Sequence, residues 1–112
     1  MSGRDQTDRP AVAVVIVNYN RRDWLAECLR SVFAQRVKPD EVIVVDNGSA
    51  DGSAEMVEEE FGGRVKLVRL AENRGFAGGN NAGARAACAE WLALLNNDAA
   101  ADPDWLSWML AE

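Results

Sequence analysis

The 112-residue chain carries 12 lysines and arginines against 18 aspartates and glutamates, a net charge of −6, and it has no histidine. Without histidine there is no Ser-His-Asp triad, Cys-His pair, histidine general base or His-ligated zinc, which leaves carboxylates, amides, hydroxyls and backbone groups to do any chemistry. A hydrophobic content of 48 % suits one globular domain with a sizeable core, and the acidic balance disfavours a nucleic-acid partner while leaving room for a pocket that holds one small anion.

The first ten residues, MSGRDQTDRP, are polar and lack the apolar stretch of a signal peptide. They read as a flexible leader (1–10) before a domain over 11–112. Val12 to Val17 is almost purely apolar, the pattern of a strand covered on both faces. From Arg21 to Gln35, apolar residues at Trp24, Leu25, Cys28, Leu29, Val32 and Phe33 form one helical face, with Asn20 as the expected cap. Glu41 to Asp46 is a second apolar strand, and the turn at Asn47-Gly48-Ser49 leads to a helix around Ala54 to Phe61. Within that helix the run Glu58, Glu59 and Glu60 reads as a solvated face, because Val57 and Phe61 keep an apolar pair four residues apart.

Gly62-Gly63 stops the helix, and Val65 to Leu70 alternates apolar with basic residues, as an edge strand does. A Gly/Asn-rich stretch over Asn73 to Gly83 is read as a loop leading into a small-residue helix, Ala84 to Ala89, and then a strand, Trp91 to Leu95. Asp102-Pro103 caps and opens a last helix whose residues Trp105, Leu106, Trp108, Met109 and Leu110 leave almost no polar face, which predicts a neighbour or self-association through it. Cys28 and Cys88 both fall on apolar helical stripes and read as buried thiols in a reducing cytosol, not as a disulfide or metal pair. No apolar run approaches the ~20 residues needed to span a bilayer.

The predicted order is βαβαβαβα, an α/β fold with a parallel sheet, right-handed crossovers and helices on both faces. Ligands of such sheets bind beyond the carboxyl ends of the strands. The polar clusters Asn18-Tyr19-Asn20, Asp46-Asn47-Gly48-Ser49, Glu72-Asn73-Arg74-Gly75 and Asn96-Asn97-Asp98 all lie at those ends. A strand order 3-2-1-4 places them on one rim. Turn formation alone calls for many of these Asn, Asp and Gly residues, but not for Arg74 or the Asn96-Asn97-Asp98 run.

The first turn lacks the GxGxxG of a dinucleotide site, and no Gly-Lys-Ser/Thr loop or paired acids of a phosphoreceiver occur. A nucleotide-like ligand held by side chains fits what remains. Asp46 would accept from a base N–H, Tyr19 would pack on a flat ring, Arg74 would meet a phosphate, and Asp98 would hold a hard divalent cation.

The segments VVIVNYNRRDWLAECLRSVFAQ, EVIVVDNGSADGS, NRGFAGGNNAGARAA and LLNNDAAADPDWL, in this order from Val12 to about Leu106, resemble the amino-terminal half of glycosyltransferase family 2. The resemblance implies a GT-A (Rossmann-like) fold and an inverting enzyme, nearest the rhamnosyltransferase-like branch, that uses nucleotide-diphosphate sugars such as UDP- or dTDP-sugars. It implies Val17 and Tyr19 along the nucleoside, Asp46 on the base, Arg74 near the nucleotide, and Asn81 with Gly83 as an Asn-x-Gly turn. Asn96-Asn97-Asp98 stands at the family's DxD metal motif, with Asn97 toward the nucleotide sugar and Asp98 on Mg²⁺ or Mn²⁺. The chain departs from that motif in carrying Asn96 for its first acid, so the ion would draw most ligands from the diphosphate and water. Because the family's acceptor base lies in the carboxyl-terminal half, no catalytic base is assigned here. The implied reading is a donor-binding region, inactive alone, acting in the cytoplasm or at the inner face of the membrane on a saccharide or lipid acceptor. The alternative is a noncatalytic nucleotide-binding or scaffold domain of the same fold.

Overall fold

The apolar run near the start forms β1 (Val12–Asn18), and its position inside the sheet follows from its composition: Val12 through Ile16 are all buried. A computed structural model describes residues 10–111, so the expected leader, Pro10 apart, lies outside the described residues. After β1 come α1 (Arg22–Phe33), β2 (Glu41–Asn47), α2 (Ser53–Phe61), a 3₁₀ turn at Gly62–Arg64, β3 (Lys66–Leu70), α3 (Gly75–Ala86), β4 (Trp91–Asn96) and α4 (Trp105–Met109). The four strands are parallel in the order β3-β2-β1-β4, as the alternation predicts. Among the described residues, no helix is long and apolar enough to cross a membrane.

Side chains alternate across a strand, so β1 and β2 feed two cores. Val12, Val14, Ile16, Val42 and Val44 pack beneath α1 and α2, where Leu25, Leu29, Val32, Val57 and Phe61 meet them. Ala13, Val15, Ile43 and Val45 turn to the other face, against Ala82 and Ala86 of α3. Each fully buried Val or Leu contributes about 1.5–3 kcal/mol of transfer free energy. The Glu58–Glu60 run is exposed, as expected, while Trp24 departs from its predicted stripe and stands 51 % exposed beneath the Arg21 guanidinium.

The Gly/Asn-rich stretch is helix, not loop: α3 begins at Gly75 and ends at Ala86, and the predicted Ala84–Ala89 helix survives only in its first three residues. Glycine is a poor helix former, but here its missing side chain is what the packing requires. A Cβ on Gly79 would lie 2.5 Å from Val17 Cγ1, and one on Gly83 would lie 2.5 Å from Val15 Cγ1. Tertiary contact therefore overrides propensity and lets α3 lie almost directly on β1. Cys88, expected to be buried, is exposed, because the chain beyond Ala86 is no longer helical.

The last helix also differs from expectation. Asp102 to Asp104 forms a turn, with Asp102 Oδ1 accepting from Asp104 N at 2.9 Å, and the helix proper starts at Trp105 and lasts five residues. Its anchor is Gln35, which is 0 % exposed: Oε1 accepts from Leu106 N at 3.0 Å, and Nε2 donates to the carbonyls of Asp102 at 2.6 Å and Ser31 at 3.2 Å. Leu106 is buried in the core with Leu25, Leu29 and Val32, whereas Trp108 remains 63 % and Met109 46 % exposed. The apolar helix is thus partly satisfied within its own domain.

The start of α1 corrects a further expectation. Asn20 does not cap it: Asn20 and Arg21 both take positive φ, and Asn20 Oδ1 accepts from Ala50 N at 2.9 Å instead. Asp51, reaching across from the loop after β2, accepts from Arg22 N at 2.9 Å and from Ser53 N at 3.0 Å, so one carboxylate serves the first turns of both α1 and α2. Partial burial works to raise the Asp51 carboxyl, but the bonds from the Ser53 hydroxyl and from the N–H groups of Arg22, Ser53 and Asp51 itself outweigh it and hold it below the ordinary range. A depressed folded value means this stabilisation is complete above the unfolded value of about 3.9 and is lost as pH falls through the lower folded value. Asp51→Ala is expected to cost about 1–2 kcal/mol at pH 7, read by urea unfolding. The gap to wild type should close as pH drops below about 4, and a gap independent of pH would contradict the assignment.

Candidate functional site

The carboxyl ends of β1, β2 and β4 meet in a network of buried amides and one acid. In register across the sheet, Asn18 pairs with Asp46, and Val17 with Asn96. The Asn18 amide donates through Nδ2 to Asp46 Oδ1 and to Ser49 Oγ, both at 3.3 Å, while its Oδ1 accepts from Asn97 Nδ2 at 2.8 Å. Asp46 Oδ2 accepts from Ser49 N at 3.1 Å. Asn18 is 0 % and Asp46 3 % exposed, and burial of this kind is tolerated only when such groups find partners. Every strand of this rim therefore presents its polar group in a fixed orientation.

The loop after β3 is set by Asn47. Its Oδ1 accepts from Arg74 N at 2.8 Å and its Nδ2 donates to Gly75 O at 3.0 Å, gripping the backbone on both sides of Arg74. Gly48 makes the approach possible: with φ +80, it sits where a Cβ would come within 2.8 Å of the Glu72 carbonyl carbon. Arg74 stands exposed as the first flanking residue of α3, and Tyr19 is 50 % exposed at the end of β1. An unburied guanidinium and a free aromatic face are suited to a phosphate and a flat ring.

Beside β4 lies a cavity of about 190 Å³ lined by Val17, Phe76, Asn80 and the end of β4, including Asn97 and Asp98. Of the residues singled out from sequence, Val17, Asn97 and Asp98 meet there. Asp46 joins them through Asn18, while Asn81 is exposed on α3 and the cavity takes Asn80 instead. The sequence places Asn18, Asn47 and Ser49 in the rim clusters but assigns none of them an individual role. The signal that could have found Asn18 is a polar residue closing a strand otherwise buried on both faces.

A larger cavity, about 640 Å³, runs outside between α1 and α2 and is lined by Asp23, Glu27, Glu55, Glu59 and Glu60 against Arg22 and Arg30. Its excess of carboxylates disfavours an anionic ligand, so charge points back to the rim beside Arg74. Among the described residues, no three acids, cysteines or histidines gather where a metal could be held. Asp98 supplies one hard oxygen donor at this rim, and a cation fits beside it where a ligand brings further oxygens.

Residues 13–112 match the family model described as glycosyl transferase family 2. The succinoglycan biosynthesis protein ExoO of Rhizobium meliloti is 39 % identical over 101 residues, a span covering 90 % of this chain and 29 % of that protein. The putative glycosyltransferase EpsH of Bacillus subtilis is 33 % identical over 92 % of this chain and 30 % of its own length. Among solved structures, the mannosyltransferase PcManGT of Pyrobaculum calidifontis, in complex with GDP-Man and Mn²⁺, superposes with a TM-score of 0.80 at 32 % identity, over 88 % of this chain and 31 % of that one. S. aureus TarS 1-349 in complex with UDP gives 0.78 at 25 % identity, over 88 % of this chain and 30 % of that one. The chain thus spans about three-tenths of the length of the curated relatives it matches.

Proposed function

Because the chain belongs to glycosyl transferase family 2 and has the GT-A arrangement of strands, we propose that it is the donor-binding region of a sugar transferase, holding a nucleoside-diphosphate sugar on the rim of β1, β2 and β4. The observation that carries this reading is the buried Asp46–Asn18–Asn97 network, which unites a carboxylate suited to a base N–H with the Asn97-Asp98 end suited to a diphosphate. Tyr19 packs on the base or ribose, Val17 lines the floor, and Arg74 meets the phosphates. Asn81 contributes from α3 only at the outer margin of the ligand. In the whole transferase an acceptor hydroxyl, on a saccharide or lipid, displaces the diphosphate at the anomeric carbon with inversion, and rhamnose is one donor sugar in keeping with the sequence resemblance. Arg74 offsets charge growing on the departing diphosphate. When bound with the diphosphate at Asp98, Mg²⁺ or Mn²⁺ supplies further charge compensation. The reading places the protein in the cytoplasm or at the inner face of the membrane.

Support for nucleotide and metal comes from the PcManGT complex with GDP-Man and Mn²⁺ and the TarS complex with UDP. The isolated chain is expected to bind but not to transfer, because the family resemblance puts the acceptor's base in the carboxyl-terminal half, while here Asp46 is buried and already bonded and Asp98 lines the diphosphate end. A missing general base alone costs ~10²–10⁴-fold in rate. Titration calorimetry with UDP, dTDP and GDP tests the reading. Mn²⁺ should raise affinity on the order of tenfold, and Asp98→Ala should abolish that gain, since cation and nucleotide each favour the other's binding. Failure of all three nucleotides to bind would sink the donor-site assignment and leave the scaffold alternative. Steady transfer by the isolated chain would overturn the division of labour.

A further inference from the structure

We propose that Asn18 is the positioning residue of this site: its single amide aims the Asp46 carboxylate at the ligand's base while tethering Asn97 at the diphosphate end. The proposal rests on the nucleoside-diphosphate reading above and concerns how the pocket selects a base.

A primary amide has two N–H donors and one acceptor oxygen, and all three groups are in use at Asn18. Both donors face acceptors, Asp46 Oδ1 and Ser49 Oγ, and the oxygen faces a donor, Asn97 Nδ2. Turning the amide over would set its oxygen against the Asp46 carboxylate and its NH₂ against the Asn97 NH₂, so only one orientation is satisfied. Asp46 in turn has two partners among the described residues, Asn18 Nδ2 on one oxygen and Ser49 N on the other. Each carboxylate oxygen keeps a lone pair in reserve, and the two bonds decide where those lone pairs point. If Asn18 no longer donates, the carboxylate is held at one oxygen and can swing about the Ser49 bond.

A carboxylate fixed to accept favours bases with a ring N–H, as in uracil, thymine and guanine. It disfavours cytosine and adenine, whose corresponding ring nitrogen carries a lone pair. A residue that merely fills space would change stability without touching this preference. Asn18 is 0 % exposed and so touches no ligand itself, which places its effect wholly in orientation.

The test measures affinities of UDP, dTDP, GDP, CDP and ADP for the wild-type chain, Asn18→Leu and Asn18→Asp, with near-UV circular dichroism confirming that each is folded. Leucine keeps the volume and loses every hydrogen bond; aspartate keeps the shape and the oxygen facing Asn97 but sets a second carboxylate against Asp46. The wild-type chain should prefer its best ring-N–H nucleotide over CDP and ADP by at least about tenfold, and both variants should reduce that preference to about twofold or less. A folded variant that retains the preference overturns this proposal alone, as does a wild-type chain that binds nucleotides without preference. Absence of binding by all five nucleotides overturns the functional reading as well. Should either variant fail to fold, the wild-type chain still decides: the preferred nucleotide should shift the side-chain amide resonances of Asn18 and Asn97 together. Resonances of Asn18 that stay unmoved at saturation would overturn the proposal.

Discussion

Gln35→Ala will lower the stability of the chain by about 3–5 kcal/mol, a large part of the ~5–15 kcal/mol that a domain possesses. Three hydrogen bonds leave with the amide, to Leu106 N and to the carbonyls of Asp102 and Ser31, and two of them join the segment after α1 to the start of the last helix and the turn before it. At a position with no exposure, water cannot replace them, so the partner groups keep their desolvation penalty and a cavity is added. Gln35→Met separates the two contributions. It roughly keeps the volume and should recover the cavity share, leaving a loss of about 2–3 kcal/mol from unpaired backbone groups. Urea unfolding gives the totals, and hydrogen exchange at Leu106 N should lose protection in both variants. A loss below about 1 kcal/mol for Gln35→Ala would show that Leu106 packing and the Arg36 contacts to Pro103 and Asp104 hold the last helix without the Gln35 amide.

Asp46→Asn will weaken binding of the preferred nucleoside diphosphate by about 10–100-fold, the size of a hydrogen bond to a charged group. The substitution keeps the shape of the side chain but exchanges a pure acceptor for a group that is half donor. With Ser49 N still requiring an acceptor, the oxygen of the substituted amide is drawn to it and the NH₂ is left facing Asn18 and the ligand. Nucleotides with an unprotonated ring nitrogen should lose nothing and CDP should gain relative to UDP. Calorimetry across the same set of nucleotides provides the measurement. Unchanged UDP affinity in a folded Asp46→Asn chain would remove Asp46 from the ligand.

Much of the fold was legible because burial writes itself into composition. β1 and the centre of β2 are continuously apolar and lie in the middle of the sheet; β3 is broken by basic residues and lies at its edge, with Lys66 paired to Glu41 on one face and Arg69 to Glu55 on the other. β4 occupies the opposite edge and leaves Trp91 56 % and Leu94 52 % exposed, which periodicity alone does not reveal. What escaped was information carried by distant partners. Gly79 and Gly83 read as loop until Val17 and Val15 are known to lie beneath them. Gln35 reads as the polar end of a helix until Leu106, 71 residues on, is brought against it. At the site, the topological rule places all four clusters on one rim, but the individual roles of Asn18 and Asn47 stay hidden, because their work is done through bonds across strands.

The two cysteines form an unequal pair. Cys28 lies under β4 with Sγ donating to Asn96 O at 3.4 Å, and burial, with a lesser contribution from the Asp98 charge, pushes its thiol up to about 12. Cys88 is exposed in the connection to β4, where its N–H is tied to Glu41 at the opposite end of the sheet from Asp46. Only a thiolate attacks an electrophile at useful speed, so a maleimide at neutral pH will mark Cys88 and pass over Cys28. The chain therefore comes with a single attachment point for a fluorophore, at the foot of the sheet and clear of the rim. Dye carried there can report tumbling and ligand-linked anisotropy without a cysteine having to be removed or introduced.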